Sequence, residues 1–219
     1  MIDVVLCYEG VTDFEPLCIL MKKAADPIEL SVTPKTRGEL KKDIWLLKKR
    51  TGIHPRITSV DRFVMAAVKY GYTHIAYHMD ADHDYQARYK DIADRLAPLQ
   101  DKIHGLAVVP KEMIESWLMA DTQAFAALYK KAPVRPELPK APENLWGEEK
   151  NPDSNFPKNV MKRVLKQYHA EPNRQVFADI AGFSDISTLR AQCPLSFERF
   201  YQDMQMFIRT NEPEEESSI

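Results

Sequence analysis

Two kinds of hydrophobic pattern run along the chain. Residues 3–8 (DVVLCY), 74–79 and 106–109 are short, near-continuous apolar runs, the pattern of strands covered on both faces, as in a parallel sheet. Between them apolar residues recur one helical turn apart, at Phe14, Leu17, Cys18, Met21 and Ala25, and again at Val60, Phe63, Val64, Ala67 and Val68. That spacing predicts helices with one buried stripe. The first should start at Thr12 or Asp13, where Thr12 and Glu15 have the spacing of a capping box. Residues 28–33 read as a second strand, 37–50 as an exposed basic helix and 85–99 as a charged helix. A single helix containing EMIESWLMAD should reach Leu128. The alternation of strands and helices predicts an α/β fold, a mostly parallel central sheet flanked by helices.

Prolines 133, 136, 139, 142, 152 and 157 break up residues 131–157, so this stretch reads as a long ordered loop or linker. Beyond it, 158–169 and 194–208 have helical patterns, the second with a wide stripe of Phe197, Phe200, Tyr201, Met204, Phe207 and Ile208 that reads as core. The expected organisation is an α/β domain over 1–130, the proline-rich segment 131–157, a helical extension over 158–210 packed on the core, and an acidic tail over 211–219.

A hydrophobic fraction of 44% and a charged fraction of 28% in 219 residues fit one ordinary globular domain. No apolar run approaches the about 20 residues that span a bilayer, and no basic-then-apolar leader opens the chain. A cytoplasmic protein with no membrane partner is therefore expected. Cys7, Cys18 and Cys193 are an odd, widely spaced set with neither a disulfide framework nor a CxxC zinc pattern. The net charge of −2 exerts no overall pull on nucleic acid, but Lys35, Arg37, Lys41, Lys42, Lys48, Lys49, Arg50 and Arg56 concentrate positive charge in one stretch. Such a stretch suits a phosphate backbone, although it reads equally as a solvated helix face.

The candidate chemistry lies at strand ends. Glu9 stands where the first apolar strand meets Gly10 and a helix start, and Asp80-Ala81-Asp82 closes another. Ligands of open α/β sheets bind outside the carboxyl ends of the strands, and a side-chain period of two turns both aspartates the same way. On neighbouring strands the three carboxylates would converge and repel one another, which a cation relieves; an all-oxygen set favours Mg²⁺ or Mn²⁺. Asp13 is either a helix cap or a further ligand. Glu112 and Glu115, one turn apart on an expected helix, are a ligand or solvent-exposed acids. His78 and His83 lack the spacing of a zinc site. Asp80, Asp82 and Asp84 mimic a calcium loop, but Tyr85 occupies its glycine position.

VVLCYEGVTD followed by a strand ending in DAD resembles the Toprim domain of topoisomerases, primases and OLD-type (overcoming lysogenization defect) nucleases, over roughly residues 1–128. The resemblance implies a Toprim/Rossmann-like fold with Glu9 as the motif glutamate, Asp80 and Asp82 as DxD metal ligands, and Asp13 in the place of the OLD-type second acid. PKEMIESWLMAD, FPKNVMKRVL and CPLSFERF resemble a family of small stand-alone bacterial Toprim-like proteins, related members of which lie beside ATPases in phage-defence systems. Glu115 is the better match to that family's E-x-W-L pattern, and Lys158 in FPKN is a candidate for neutralising a transition-state phosphate.

The expected activity is Mg²⁺- or Mn²⁺-dependent hydrolysis of DNA or RNA phosphodiesters, with one or two ions, Glu9, Asp80 and Asp82 catalytic, and Glu9, Asp13, Asp80, Asp82 and Glu115 as ligands. An ATPase partner and a homo-oligomer both stay open. The competing readings are a non-catalytic nucleic-acid-binding or ATPase-docking subunit and a phosphohydrolase. Against the last, the DxD nucleophile of the haloacid-dehalogenase type sits on the first strand, where this chain has Glu9-Gly10. No GxxxxGK[ST] loop is present, so any ATP-driven step would come from a partner.

Overall fold

The computed structural model describes residues 1–36, 58–97, 103–131 and 139–209. The expected basic helix over 37–50, with Arg37, Lys41, Lys42, Lys48, Lys49 and Arg50, lies outside the described residues, as do Arg56 and the acidic tail.

Four strands, β1 (Ile2–Tyr8), β2 (Leu30–Thr36), β3 (His74–His78) and β4 (His104–Val108), form an all-parallel sheet in the order β2-β1-β3-β4. The chain moves outward from β1 to β2, returns to the other side of β1 with β3, and continues to β4. The strand order thus reverses between β1 and β3, the place where α/β sheets open a crevice for ligands. The second strand runs three residues beyond the expected 28–33, through Pro34. It is an edge strand, where a proline's missing N–H leaves no ladder bond unmade.

Pleating sorts the apolar residues onto two faces. Val5, Cys7, Ile75, Tyr77 and Ala107 point to one side and pack under α2 (Ser59–Tyr70) and α3 (Tyr85–Leu96). Val4, Leu6, Ala76, Leu106 and Val108 point to the other, where α1 (Phe14–Ala25) and the C-terminal helices share one core. Those helices are α6 (Pro157–Lys166), α7 (Arg174–Phe183), α8 (Ile186–Gln192) and α9 (Phe197–Arg209). Helix α9 realises its predicted stripe: Phe197, Phe200, Met204, Phe207 and Ile208 are buried, while Tyr201 is only half-buried.

Three expectations about helices are corrected. The helix foreseen from EMIESWLMAD to Leu128 is two, α4 (Ile114–Leu118) and α5 (Thr122–Tyr129). Asp121 separates them: one carboxylate oxygen caps Gln123 N at 2.8 Å, and the other accepts Asp185 N at 2.8 Å. At α1 no Thr12–Glu15 capping box forms, because Asp13 occupies the cap position and its side chain turns elsewhere. Helices α7 and α8 had no predicted counterpart. Their N-caps are ordinary, Asn173 accepting Val176 N at 3.0 Å and Asp185 accepting Thr188 N at 2.8 Å.

No helix among the described residues is long and apolar enough to cross a membrane.

Candidate active site

The β1–β3 crevice is a cavity of about 230 Å³ lined by Glu9, Asp13, Asp80, Asp82, Glu115, Glu149 and Lys158, with Met113 and Phe156 on its apolar wall. The six acids arrive from four pieces of backbone: Glu9 and Asp13 from the β1–α1 segment, Asp80 and Asp82 from the loop after β3, Glu115 from α4 (Ile114–Leu118) and Glu149 from the proline-rich segment. Glu9 is the residue after β1. Its carboxylate accepts the Asp80 amide at 3.4 Å, which ties the ends of the two neighbouring strands together.

Asp80 and Asp82 follow β3 while the backbone is still laced to the segment after β4, with Met79 N to Val108 O at 3.2 Å, Ala81 N to Pro110 O at 3.2 Å and Asp82 N to Glu112 O at 3.4 Å. Ala81 is therefore turned into the α2/α3 core and both aspartates reach the cavity. There the chain stops being a strand: Asp82, His83 and Glu112, none a glycine, have φ of 48°, 81° and 64°. Left-handed backbone at residues with a Cβ is held only where surrounding structure enforces it, and it clusters at functional sites.

Asp13 does not serve as a side-chain helix cap. Its carboxylate folds back to accept Gly10 N at 2.7 Å and Thr12 Oγ1 at 3.2 Å. A Cβ on Gly10 would stand 2.8 Å from Asp13 Oδ2, so only glycine lets the carboxylate sit there.

Of the two acids expected on one helix, only Glu115 is helical. It is buried and lines the cavity. Glu112 precedes the helix and pairs with His83 Nδ1 at 3.0 Å. Lys158 stands in the first turn of α6. Lys35, in register with Cys7 two residues before Glu9, lies 5.9 Å from the Tyr70 ring centroid, outside the cavity wall.

Electrostatics follow from six acids facing one lysine on the wall. Burial raises the Asp13 carboxyl, with Asp80 adding to the rise against the opposing His78. Burial also raises Asp82, helped by Asp80 and Glu9. For Glu115 burial, reinforced by Asp80 and moderated by Lys158, pushes the carboxyl up to about 7.

His78 sits wholly buried beneath the cluster. Burial disfavours its charge, but Asp80, Asp13 and Glu9 outweigh that and raise its pKa. His83 is tied up with Glu112 and with Trp146, whose ring centroid is 5.9 Å away.

Among the described residues, no three acidic, histidine or cysteine side chains are already gathered around a common point as they stand. The donor set still fits a hard divalent cation. It is all oxygen, Asp80 Oδ1 is buried without a hydrogen-bond partner, and the raised carboxyls show a cluster short of positive charge. The residues that sequence reasoning missed are Glu149 and Phe156, contributed by the proline-rich segment, and His78 as a support beneath the acids.

No family model, no curated protein and no solved structure matches this chain.

Proposed function

We propose that the chain is a metal-dependent nuclease hydrolysing phosphodiester bonds of DNA or RNA at the β1–β3 cavity. One observation carries this reading. Carboxylates from the loops after β1 and β3, from α4 and from the proline-rich segment line one cavity with Lys158 where the strand order of a parallel sheet reverses.

Glu9, Asp80 and Asp82, joined by Asp13 and Glu115, would hold one or two Mg²⁺ or Mn²⁺ ions. A bound ion supplies Lewis-acid chemistry at a phosphate oxygen and a more acidic water. Lys158 brings positive charge to a phosphate in the cavity, and Phe156 and Met113 keep one wall dry, where charge interactions strengthen. Lys35 and the basic residues that follow it in sequence offer a track for the nucleic-acid backbone. The Toprim resemblance supports the same reading and adds an effector role in phage defence beside an ATPase.

The test is cleavage of supercoiled plasmid, linear DNA and total tRNA by the full chain with Mg²⁺ or Mn²⁺, beside chelator and Asp80→Ala controls. Cleavage abolished by both controls is the expected result. Persistent inactivity with all three substrates, including after addition of an ATPase partner, overturns the nuclease reading and leaves a non-catalytic nucleic-acid-binding or ATPase-docking subunit.

A further inference from the structure

We propose that Trp146 is a stacking platform for an unpaired base of the substrate, so that the chain selects nucleic acid that is single-stranded, or locally opened, beside the scissile phosphate. The inference rests on the nuclease reading of the cavity and deepens it.

Trp146 is 65% exposed, whereas the buried Trp117 is at 0%. Leaving a large indole in water forgoes the burial that usually makes tryptophan useful. The segment that carries it is nonetheless firmly held. Just before it, Leu145 is buried, and the Glu143 carboxylate accepts Leu195 N at 2.9 Å and Ser196 N at 2.7 Å. Just after it, Asn159 Nδ2 donates to the carbonyls of Glu149 at 3.0 Å and Asn151 at 2.7 Å. Arg163 Nη1 donates to Pro152 O at 2.6 Å and Ser154 O at 2.9 Å. A Cβ on Gly147 would stand 2.8 Å from Phe156 N, so the two limbs of the segment touch through that glycine.

The indole is therefore exposed on a braced support, which lowers the ordering cost of binding a flat ligand. Its place is next to the chemistry. It meets His83 at 5.9 Å with the rings inclined by 62°. His83 directly follows Asp82 of the cavity wall, and Glu149, which also lines the cavity, is three residues after Trp146. A cavity suited to phosphate beside an exposed aromatic ring repeats the chemistry of a nucleotide, one charged group and one π-face. Stacking of a base on an aromatic side chain tolerates every base and needs the base unpaired. A duplex offers only phosphates and groove edges to such a ring.

The experiment measures binding of short fluorescein-labelled oligonucleotides to the full chain with Ca²⁺ in place of Mg²⁺, using a single strand, an abasic strand of equal length and a duplex. Wild type should prefer the single strand over the abasic one. Trp146→Ala should weaken the single strand by about 5- to 150-fold, Trp146→Phe should recover most of the loss, and the abasic strand should bind all three proteins alike.

Equal single-strand binding by wild type and Trp146→Ala, with Mg²⁺-dependent cleavage intact, overturns the platform and leaves the nuclease reading standing. Failure of wild type to bind any oligonucleotide, together with no cleavage, removes both. Loss of self-association in Trp146→Ala with oligonucleotide binding unchanged assigns the ring to a protein contact and also overturns the proposal. Should Trp146→Ala not fold, Trp146→Leu, which keeps apolar bulk without a π-face, takes its place, with the same loss expected and unchanged single-strand binding overturning the platform.

Discussion

His78 Nε2 faces Asp80 Oδ1 at 3.4 Å from a side chain that is wholly buried. The Glu9 amide donates to the other ring nitrogen, Nδ1, at 3.5 Å, and Asp13 Oδ2 stands 3.8 Å from the same atom. Neither Nε2 nor Oδ1 has a well-aligned hydrogen bond to any group. One histidine thus touches the backbone of the first candidate ligand and the carboxylate of the second, an arrangement by which outer residues orient metal ligands.

His78→Leu should accordingly keep the fold but weaken Mn²⁺ binding by about 10- to 100-fold, measured by calorimetry or by the spin resonance of free Mn²⁺. His78→Gln, which can place a donor near the Nε2 position, should recover much of the affinity. Equal affinity in wild type and His78→Leu would mean that the histidine is only filling space.

Glu115 gives a pH-dependent prediction. Its carboxyl rises from 4.5 to about 7 in the folded chain, through burial first and Asp80 second. A raised acid pKa means that between these values the native state holds a proton that the unfolded chain has released. Metal-free stability therefore falls as pH climbs through this window, by roughly 3 kcal/mol at most from this group. Urea melts in chelator at pH 5 and pH 8 should show a larger loss for wild type than for Glu115→Gln. Mg²⁺ at pH 8 should restore wild type more than the variant, because a bound cation takes over the role of the proton.

Much of this site was readable before any fold was known, because its acids interrupt apolar runs. Glu9 and Asp80 end strands, and a polar residue at the end of an otherwise apolar run announces itself. His78 did not, since a histidine inside such a run reads as a satisfied core residue. Glu149, Phe156 and Trp146 lie in the proline-rich segment, where no periodicity indicates which residues face a site. The break at Asp121 was hidden because the apolar residues on either side continue a helical pattern. Helices α7 and α8 carried a usable signal in their caps, Asn173 and Asp185.

Glu143 links α9 to the segment carrying Trp146 and Glu149. Besides the amides of Leu195 and Ser196, it accepts the Ser196 hydroxyl, and Ser196 Oγ accepts Trp117 Nε1 at 2.7 Å. Trp117 belongs to α4, the helix of Glu115. Glu143→Ala would leave buried donors without partners, at a cost of about 3 kcal/mol. The thermal midpoint should drop, and activity measured well below the new midpoint should drop with it, because the braced segment loses its anchor. A variant that is less stable but fully active would show that the wall carrying Glu149 is positioned by other contacts.

At the opposite end of the sheet, His74 stacks on His104 with centroids 4.8 Å apart and meets the Phe207 ring edge-on at 5.3 Å. Burial, with His104 second, lowers its pKa below 6.5. The sign is opposite to that of Glu115. The unfolded chain takes up a proton at a higher pH than the native state does, so this contribution to stability is complete above 6.5 and is lost as pH falls through the depressed native value. Acidification should loosen the C-terminal end of α9, where Phe207 sits, while leaving the carboxylate cavity at the far end of β3 in place. His74→Phe, which cannot be protonated, should flatten the decline in thermal midpoint between pH 7.5 and pH 5 relative to wild type. Hydrogen-exchange protection of the last turn of α9, taken relative to the intrinsic exchange rate at each pH, should fall over that range in wild type only. Parallel declines in the two proteins would show that acid lability originates elsewhere.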